Sequence, residues 1–181
     1  MDTSDLIPRL EEAVPGAVLE VRPFGRGGEI SVWVEAKSIQ KVAQAIRKDV
    51  DFSFDWLENL SVMEVDKALV LTYFLRSQEK GHTLYLRVSI VPDSPEAPVE
   101  MLSVVKTWPM AKLPELEASD LFGIRFVGNP VPGSSSGRFI LPRGWVGYPL
   151  RKSYVFPTEF LNIPHTRPTG HTEPDDYGVV T

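Results

Sequence analysis

The chain has 181 residues, 43% of them apolar and 24% charged, and its 19 Lys and Arg against 24 Asp and Glu give a formal charge of −5. That balance supplies enough apolar side chains for a core and excludes the collagen-like and disordered classes. The complete lack of Cys removes a thiol nucleophile, a thiolate-held iron–sulfur cluster, a Cys-ligated zinc and a redox dithiol, and it fits a reducing compartment.

The opening residues, Met1-Asp2-Thr3-Ser4-Asp5, are acidic and polar, unlike the basic and then apolar start of a signal peptide. A first helix carries Leu6, Leu10 and Val14 at helical spacing; Ser4 or Thr3 can cap it, Pro8 falls in its first turn, and Pro15-Gly16 ends it. Val18 to Val21 and Ile30 to Val34 read as strands around a turn at Gly25, Gly27 and Gly28. A second helix begins at Ser38, with Val42, Ala43 and Ile46 on one face and Lys41, Arg47 and Lys48 toward water. Phe52, Phe54 and Trp56 are expected to fill the core. Three strands follow, Leu60 to Val65, Leu69 to Leu75 and Thr83 to Val91; in the last, Leu84, Leu86 and Val88 alternate with Tyr85, Arg87 and Ser89, as in a half-buried strand. The longest apolar stretch, Ala68 to Leu75, is interrupted by Thr72 and is far shorter than the roughly 20 residues that span a bilayer, so membrane contact is expected to be indirect.

Of the 16 Pro, 13 lie after residue 91. Proline at that density removes backbone donors and interrupts helices, which predicts short elements joined by extended chain. Two short helices are expected in this half, about Glu100 to Trp108 and Leu113 to Leu121. The fold class that follows is α+β: a two-layer mixed or antiparallel sheet with helices on one face, then an extended proline-rich C-terminal segment. The expected divisions are a globular α+β unit over 1–126, a basic and aromatic docking segment over 127–157, and a polar tail over 158–181, disordered or laid on a partner.

Residues 127–157 hold four basic side chains, Arg138, Arg143, Arg151 and Lys152, and no acidic one, a local +4 that leaves −9 elsewhere. Their setting among Phe139, Trp145, Tyr148, Tyr154 and Phe156 matches the Arg and aromatic enrichment of protein interfaces. A sequence pI of about 5.3 argues against nucleic acid, whose binders are usually basic. Catalytic patterns are scarce. His82, His165 and His171 have no metal-ligand spacing, Gly25-Arg26-Gly27-Gly28 suits a hairpin turn better than a phosphate loop, and Ser134-Ser135-Ser136 lacks an elbow sequence. Glu117 and Asp120, three apart on one helical face, are the candidate acid–base pair of a stand-alone hydrolase.

Two stretches carry a family resemblance. Glu115-Leu116-Glu117-Ala118-Ser119-Asp120-Leu121-Phe122-Gly123-Ile124-Arg125-Phe126-Val127-Gly128-Asn129-Pro130 is similar to the signature of the 30 kDa, or C-type, subunit of respiratory complex I, the NADH-quinone oxidoreductase, in which Glu-Arg-Glu precedes Tyr-Asp-Leu/Met-Phe-Gly-Ile and Phe-x-Gly-His-Pro. Ile140-Leu141-Pro142-Arg143-Gly144-Trp145-Val146-Gly147-Tyr148-Pro149-Leu150-Arg151-Lys152-Ser153-Tyr154 resembles the same family's Ile-Leu-x-Pro-x-x-Trp-x-Gly-x-Pro-Leu-Arg-Lys-Asp-Tyr. The likeness covers roughly residues 30–160 and is strong over 115–154. It implies a non-catalytic peripheral-arm subunit of a proton-translocating complex, at the cytoplasmic face of the bacterial inner membrane, bracing the 49 kDa-type (D-type) subunit beside iron–sulfur subunits. NADH, FMN, iron–sulfur clusters and quinone are then expected on those partners and no cofactor on this chain. The implied interface is Asp120, Phe122, Gly123, Arg138, Trp145, Gly147, Tyr148, Pro149, Leu150, Arg151, Lys152 and Tyr154, with Arg151 chelating a carboxylate or carbonyl of the neighbour. Leu116, Ser119, Asn129 and Ser153 depart from the signature's Arg, Tyr, His and Asp, and Gly133 to Gly137 look inserted; these departures admit the equivalent subunit of a related membrane-bound hydrogenase or other quinone-linked complex.

Overall fold

The computed structural model describes residues 3–25, 29–130 and 138–165. Helix α1 (Thr3–Ala13) leads into an antiparallel hairpin, β1 (Val18–Phe24) and β2 (Glu29–Val34). Helix α2 (Ile39–Lys48) then returns the chain to an antiparallel meander, β3 (Trp56–Val65), β4 (Ala68–Arg76) and β5 (Thr83–Ile90). The five strands form one mixed sheet in the order β1-β2-β5-β4-β3, with β2 and β5 parallel, Val32 opposite Leu86. The expected side-chain caps from Thr3 and Ser4 and the turn residues Gly27 and Gly28 lie outside what is described.

Alternation decides which face is covered. Leu84, Leu86 and Val88 of β5 join Val32, Val34, Leu69, Leu71, Tyr73 and Leu75 in one buried cluster with Leu6 and Leu10 of α1 and Ile39, Val42, Ala43 and Ile46 of α2. Each such aliphatic side chain contributes about 1.5–3 kcal/mol when fully buried, so the helices are held by their apolar stripes rather than by their caps. Phe52 and Phe54 are core residues as expected, and Trp108 closes the cluster by donating its indole N–H to the Phe54 carbonyl at 2.9 Å. Trp56 is not in the core: β3 begins there rather than at Leu60, and at that edge of the strand the indole lies 39% exposed.

The second half departs from expectation at two places. Residues 100–108 are not a helix: Val99–Leu102 is strand β6, pairing in parallel with β7 (Ile124–Val127) across helix α3 (Lys112–Phe122). Parallel pairing satisfies the backbone of 99–102 only because α3 carries the chain back beside it. Residues 158–165, expected to be an unpacked start of the tail, fold into a two-stranded turn, β8 (Glu159–Phe160) and β9 (Ile163–Pro164), with Phe160 against Trp145. The remaining tail, including His171, and the Gly133 to Gly137 stretch with its serines lie outside the described residues.

Candidate functional site

The implied interface residues converge on the corner where α3 turns into β7. Gly123 caps α3 in the left-handed region (φ 71°), its N–H on the Ser119 carbonyl at 3.0 Å, and the chain leaves at once as β7. With no Cβ on Gly123, the ring of Tyr148 lies directly against that backbone; a methyl there would overlap the ring. Gly147 is built likewise, a Cβ there meeting the Tyr154 ring at 2.8 Å.

Asp120, in the last turn of α3, is the hub. Its side chain is 1% exposed. One carboxylate oxygen accepts the backbone N–H groups of Phe139, Ile140 and Leu141 at 3.1, 2.6 and 2.7 Å, and the other accepts Arg138 Nη1 at 3.1 Å. Burial works against its charge, but the N–H groups of Leu141 and Ile140 and the Arg138 guanidinium outweigh it and hold the carboxyl below the ordinary aspartate range. Arg138 also donates to the carbonyls of Asp120, Trp145 and Gly147. A single carboxylate and a single guanidinium thus gather α3, residues 138–141 and residues 145–147.

Arg151 completes the fold-back. It is 5% exposed and donates from Nε to the Phe122 carbonyl at 2.7 Å and from Nη1 to the Pro95 carbonyl at 2.9 Å, while Leu150 N–H reaches the Leu121 carbonyl at 3.1 Å. Burial pulls its pKa below the ordinary arginine value, against the opposing pull of Tyr148 and Glu64. Arg138 and Arg151 both lie over the Tyr148 ring, their Cζ atoms 5.3 and 5.0 Å from its centroid. Within this chain Arg151 is used differently from the implied contact with a neighbour: its Nε and Nη1 take carbonyls of its own chain, that of Phe122 being one that the end of α3 leaves without a helical N–H, while Nη2 makes no hydrogen bond among the described residues. Gly123→Ala is expected to cost about 1–3 kcal/mol through overpacking, and hydrogen exchange at the Leu150 amide, which depends on this docking, should speed up with it.

What this arrangement leaves outside is apolar. Val146 and Val155 are 84% and 85% exposed, and Leu150, Phe156, Leu161 and Ile163 are exposed beside them. Of these, Val146 and Val155 line a groove of about 400 Å³ whose wall includes Trp145, Tyr148, Tyr154 and Phe160. Trp145 packs edge-on to Phe156. Pro149 is half-buried and the Lys152 side chain is exposed, its backbone N–H on Glu64 at 2.7 Å.

A buried polar cluster lies behind the corner, one that helical and strand spacing did not single out. Glu115 of α3 is fully buried and accepts Ser103 Oγ at 2.6 Å, the Val104 N–H at 2.9 Å and the Asn129 amide at 2.9 Å. Asn129 also donates to the Lys112 carbonyl, and Gln40 of α2 to the Ser103 carbonyl at 2.7 Å. Burial raises the Glu115 pKa above its ordinary value despite the three donors. Asn129 stands where the signature has His, and it supplies the side-chain N–H that spans Glu115 and α3. Leu116, in place of the signature's Arg, is buried.

Glu117 and Asp120 do not form a working pair: Glu117 is exposed, and both oxygens of Asp120 are occupied by the chain's own donors. His82 donates to the Phe52 carbonyl at 2.7 Å and His165 to the Pro157 carbonyl at 2.9 Å. Among the described residues, no three His, Asp or Glu side chains are grouped to hold a metal ion, and no helix is long and apolar enough to cross a membrane.

The sequence model of the family described as respiratory-chain NADH dehydrogenase, 30 Kd subunit, matches residues 32–159. The chain belongs to that family. With it, the chain joins the subunits of quinone-linked respiratory complexes. Among its curated relatives, the C-type subunit of NADH-quinone oxidoreductase from Roseiflexus castenholzii is 32% identical over 155 residues, covering 84% of this chain and 83% of the relative. The C-type subunit from Acidothermus cellulolyticus is 30% identical, covering 81% and 71%. The C/D-type subunit from Acinetobacter baylyi is 32% identical over 134 residues, covering 68% of this chain and 21% of that longer one. Among solved structures, a chain of the archaeal membrane-bound sulfane sulfur reductase, a respiratory membrane complex, shares the fold with a TM-score of 0.60 at 20% identity, covering 75% and 76%.

Proposed function

We propose that this 30 kDa-family chain is a peripheral-arm subunit of a proton-translocating NADH-quinone oxidoreductase, at the cytoplasmic face of the bacterial inner membrane. In this reading it carries out no bond chemistry and braces the 49 kDa-type (D-type) subunit, with NADH, FMN, iron–sulfur clusters and quinone held by neighbouring subunits. The observation that carries the proposal is the exposed pair Val146 and Val155 on the groove wall, with exposed Phe156 packed on Trp145 of the same wall, displayed on a segment that Asp120, Arg138 and Arg151 hold in one shape. Contiguous exposed aliphatic and aromatic side chains beside a groove mark a contact surface, and pre-ordering lowers the entropy cost of binding. A relative whose name joins the C and D types in one chain supports the D-type subunit as the partner.

In this reading the residues implied by the family divide into two roles: Asp120, Phe122, Gly123, Arg138, Gly147, Tyr148 and Arg151 shape the segment, and Trp145, Pro149, Leu150, Lys152 and Tyr154 lie at or beside the surface presented. The test is affinity purification of the tagged full chain from native membranes. Val146→Asp with Val155→Asp is expected to cut recovery of the 49 kDa-type partner at least tenfold, equivalent to about 1.4 kcal/mol, with the melting temperature unchanged because both side chains are exposed. Undiminished recovery overturns the proposal. The departures at Leu116, Ser119, Asn129 and Ser153 favour a second reading, the equivalent subunit of a related membrane-bound complex; the identities of the electron-input subunits that co-purify decide between the two.

A further inference from the structure

The five-stranded sheet has a second face, turned away from α1 and α2. Cross-strand register places on it Phe24 of β1, Ser31 and Trp33 of β2, Tyr85 and Arg87 of β5, and Thr72 and Phe74 of β4. The rings are in contact, Phe24 to Tyr85 at 4.3 Å and Phe74 to Tyr85 at 5.2 Å, and Arg87 is sandwiched, its Cζ 4.4 Å from the Phe24 centroid and 5.3 Å from that of Trp33. Phe24, Trp33, Phe74, Tyr85 and Arg87 all stay partly exposed.

The Arg87 end of this patch has donors and a charge without matching acceptors, while the carboxylates of Glu29 and Glu58 lie toward Tyr85 at its other end. Among the described residues, Arg87 makes no ion pair, and its Nε, the Trp33 indole N–H and the Ser31 hydroxyl make no hydrogen bond. The nearby cation Arg22 is already paired with Glu20 at 2.5 Å. Burial, and then Arg22, both work against the Arg87 charge, a cost that an incoming anion relieves. Unpartnered donors beside stacked rings suit a partner that brings an acceptor and apolar surface together, the composition of a hot spot. One uncompensated guanidinium in a chain of net charge −5 does not suit a nucleic acid, which needs many phosphates neutralised.

We propose that the open face of the sheet, centred on Arg87 between Phe24 and Trp33 and bordered by Tyr85 and Phe74, is a second protein-docking surface whose partner presents an Asp or Glu carboxylate to Arg87 and apolar side chains to the rings. It rests on the reading that the chain assembles into a complex, and it adds a face separate from the C-terminal one.

The experiment places p-benzoylphenylalanine at Ser89, exposed on the same face two residues beyond Arg87, or separately at Val155, in the full chain within native membranes. Irradiation is expected to join Ser89→p-benzoylphenylalanine to a peptide of another subunit that contains Asp or Glu, and Arg87→Glu should reduce that product at least fivefold while the Val155 product persists. A Val155 product with none at Ser89 overturns this inference alone. Absence of both overturns the assembly reading with it. Joining to a second copy of the chain or to nucleic acid, or a Ser89 product indifferent to Arg87→Glu, also overturns it. Arg87→Met, which keeps the apolar stem between the rings, gives the same fall in product if charge is what the partner reads.

Discussion

Asp120→Ala is expected to undock residues 138–157 from the α3–β7 corner and to lower stability by about 3–5 kcal/mol, the usual cost of removing one partner of a buried ion pair. Two losses combine. The N–H groups of Phe139, Ile140 and Leu141 lose their common acceptor, and the Arg138 guanidinium loses its counter-charge while still enclosed by carbonyls. The loss has a ceiling, because once the segment lifts away Arg138 returns to water. The signature is therefore local: amide exchange at 139–141 should become fast while the amides of β4 and β5, which belong to the main core, stay protected. Continued protection at 139–141 would show that another acceptor holds them. Adding Arg138→Met to Asp120→Ala should restore part of the stability, since the charge that faced Asp120 is gone with it. The pH dependence follows in sign. A carboxyl held below its unfolded value stabilises the fold above the ordinary aspartate range, and that contribution is lost as pH falls through the depressed folded value.

The sheet and its two covering helices were legible in the sequence because their signals are local. Strand β5 alternates residue by residue, and Val42, Ala43 and Ile46 recur at helical spacing. Residues 99–102 were not legible. Met101, Val104 and Trp108 recur at a helix-like interval, yet Met101 is in a strand and sits opposite Phe126, which lies beyond α3. The corner was half legible. The motif spanning Asp120 to Gly123 and Trp145 to Tyr154 drew attention to residues that the fold gathers at one corner, but their use within the chain depends on Arg138 and Arg151 reaching carbonyls 18 and 29 residues away. Spacing along a helix made Asp120 a candidate acid–base partner of Glu117. The fold-back of 138–157 decides otherwise, and no window of sequence contains it.

Glu115 offers the second large effect, with the opposite pH sign. Glu115→Ala is expected to cost about 3–5 kcal/mol, because it strands the Ser103 hydroxyl, the Val104 N–H and the Asn129 amide in the core, each unsatisfied group costing about 1–3 kcal/mol. Glu115→Gln should cost less. Its carbonyl can still accept Val104 N–H and its amide can donate to Ser103 Oγ, and only the Asn129 amide is left facing another donor. Glu115 is raised, so the sign reverses: its contribution is full below the ordinary glutamate range and is lost as pH rises through the elevated folded value, the unfolded chain having released its proton earlier. Asp120 and Glu115 therefore act on opposite sides of the ordinary carboxylate range, and between them they place a stability maximum within it. Urea unfolding from about pH 3.5 to 8, spanning the ordinary glutamate pKa and above, should show wild-type stability declining relative to Glu115→Gln as pH rises from that pKa. Parallel curves would mean that the carboxylate of Glu115 is as well solvated by Ser103, Val104 and Asn129 as by water, so that burial would not be what sets its proton affinity.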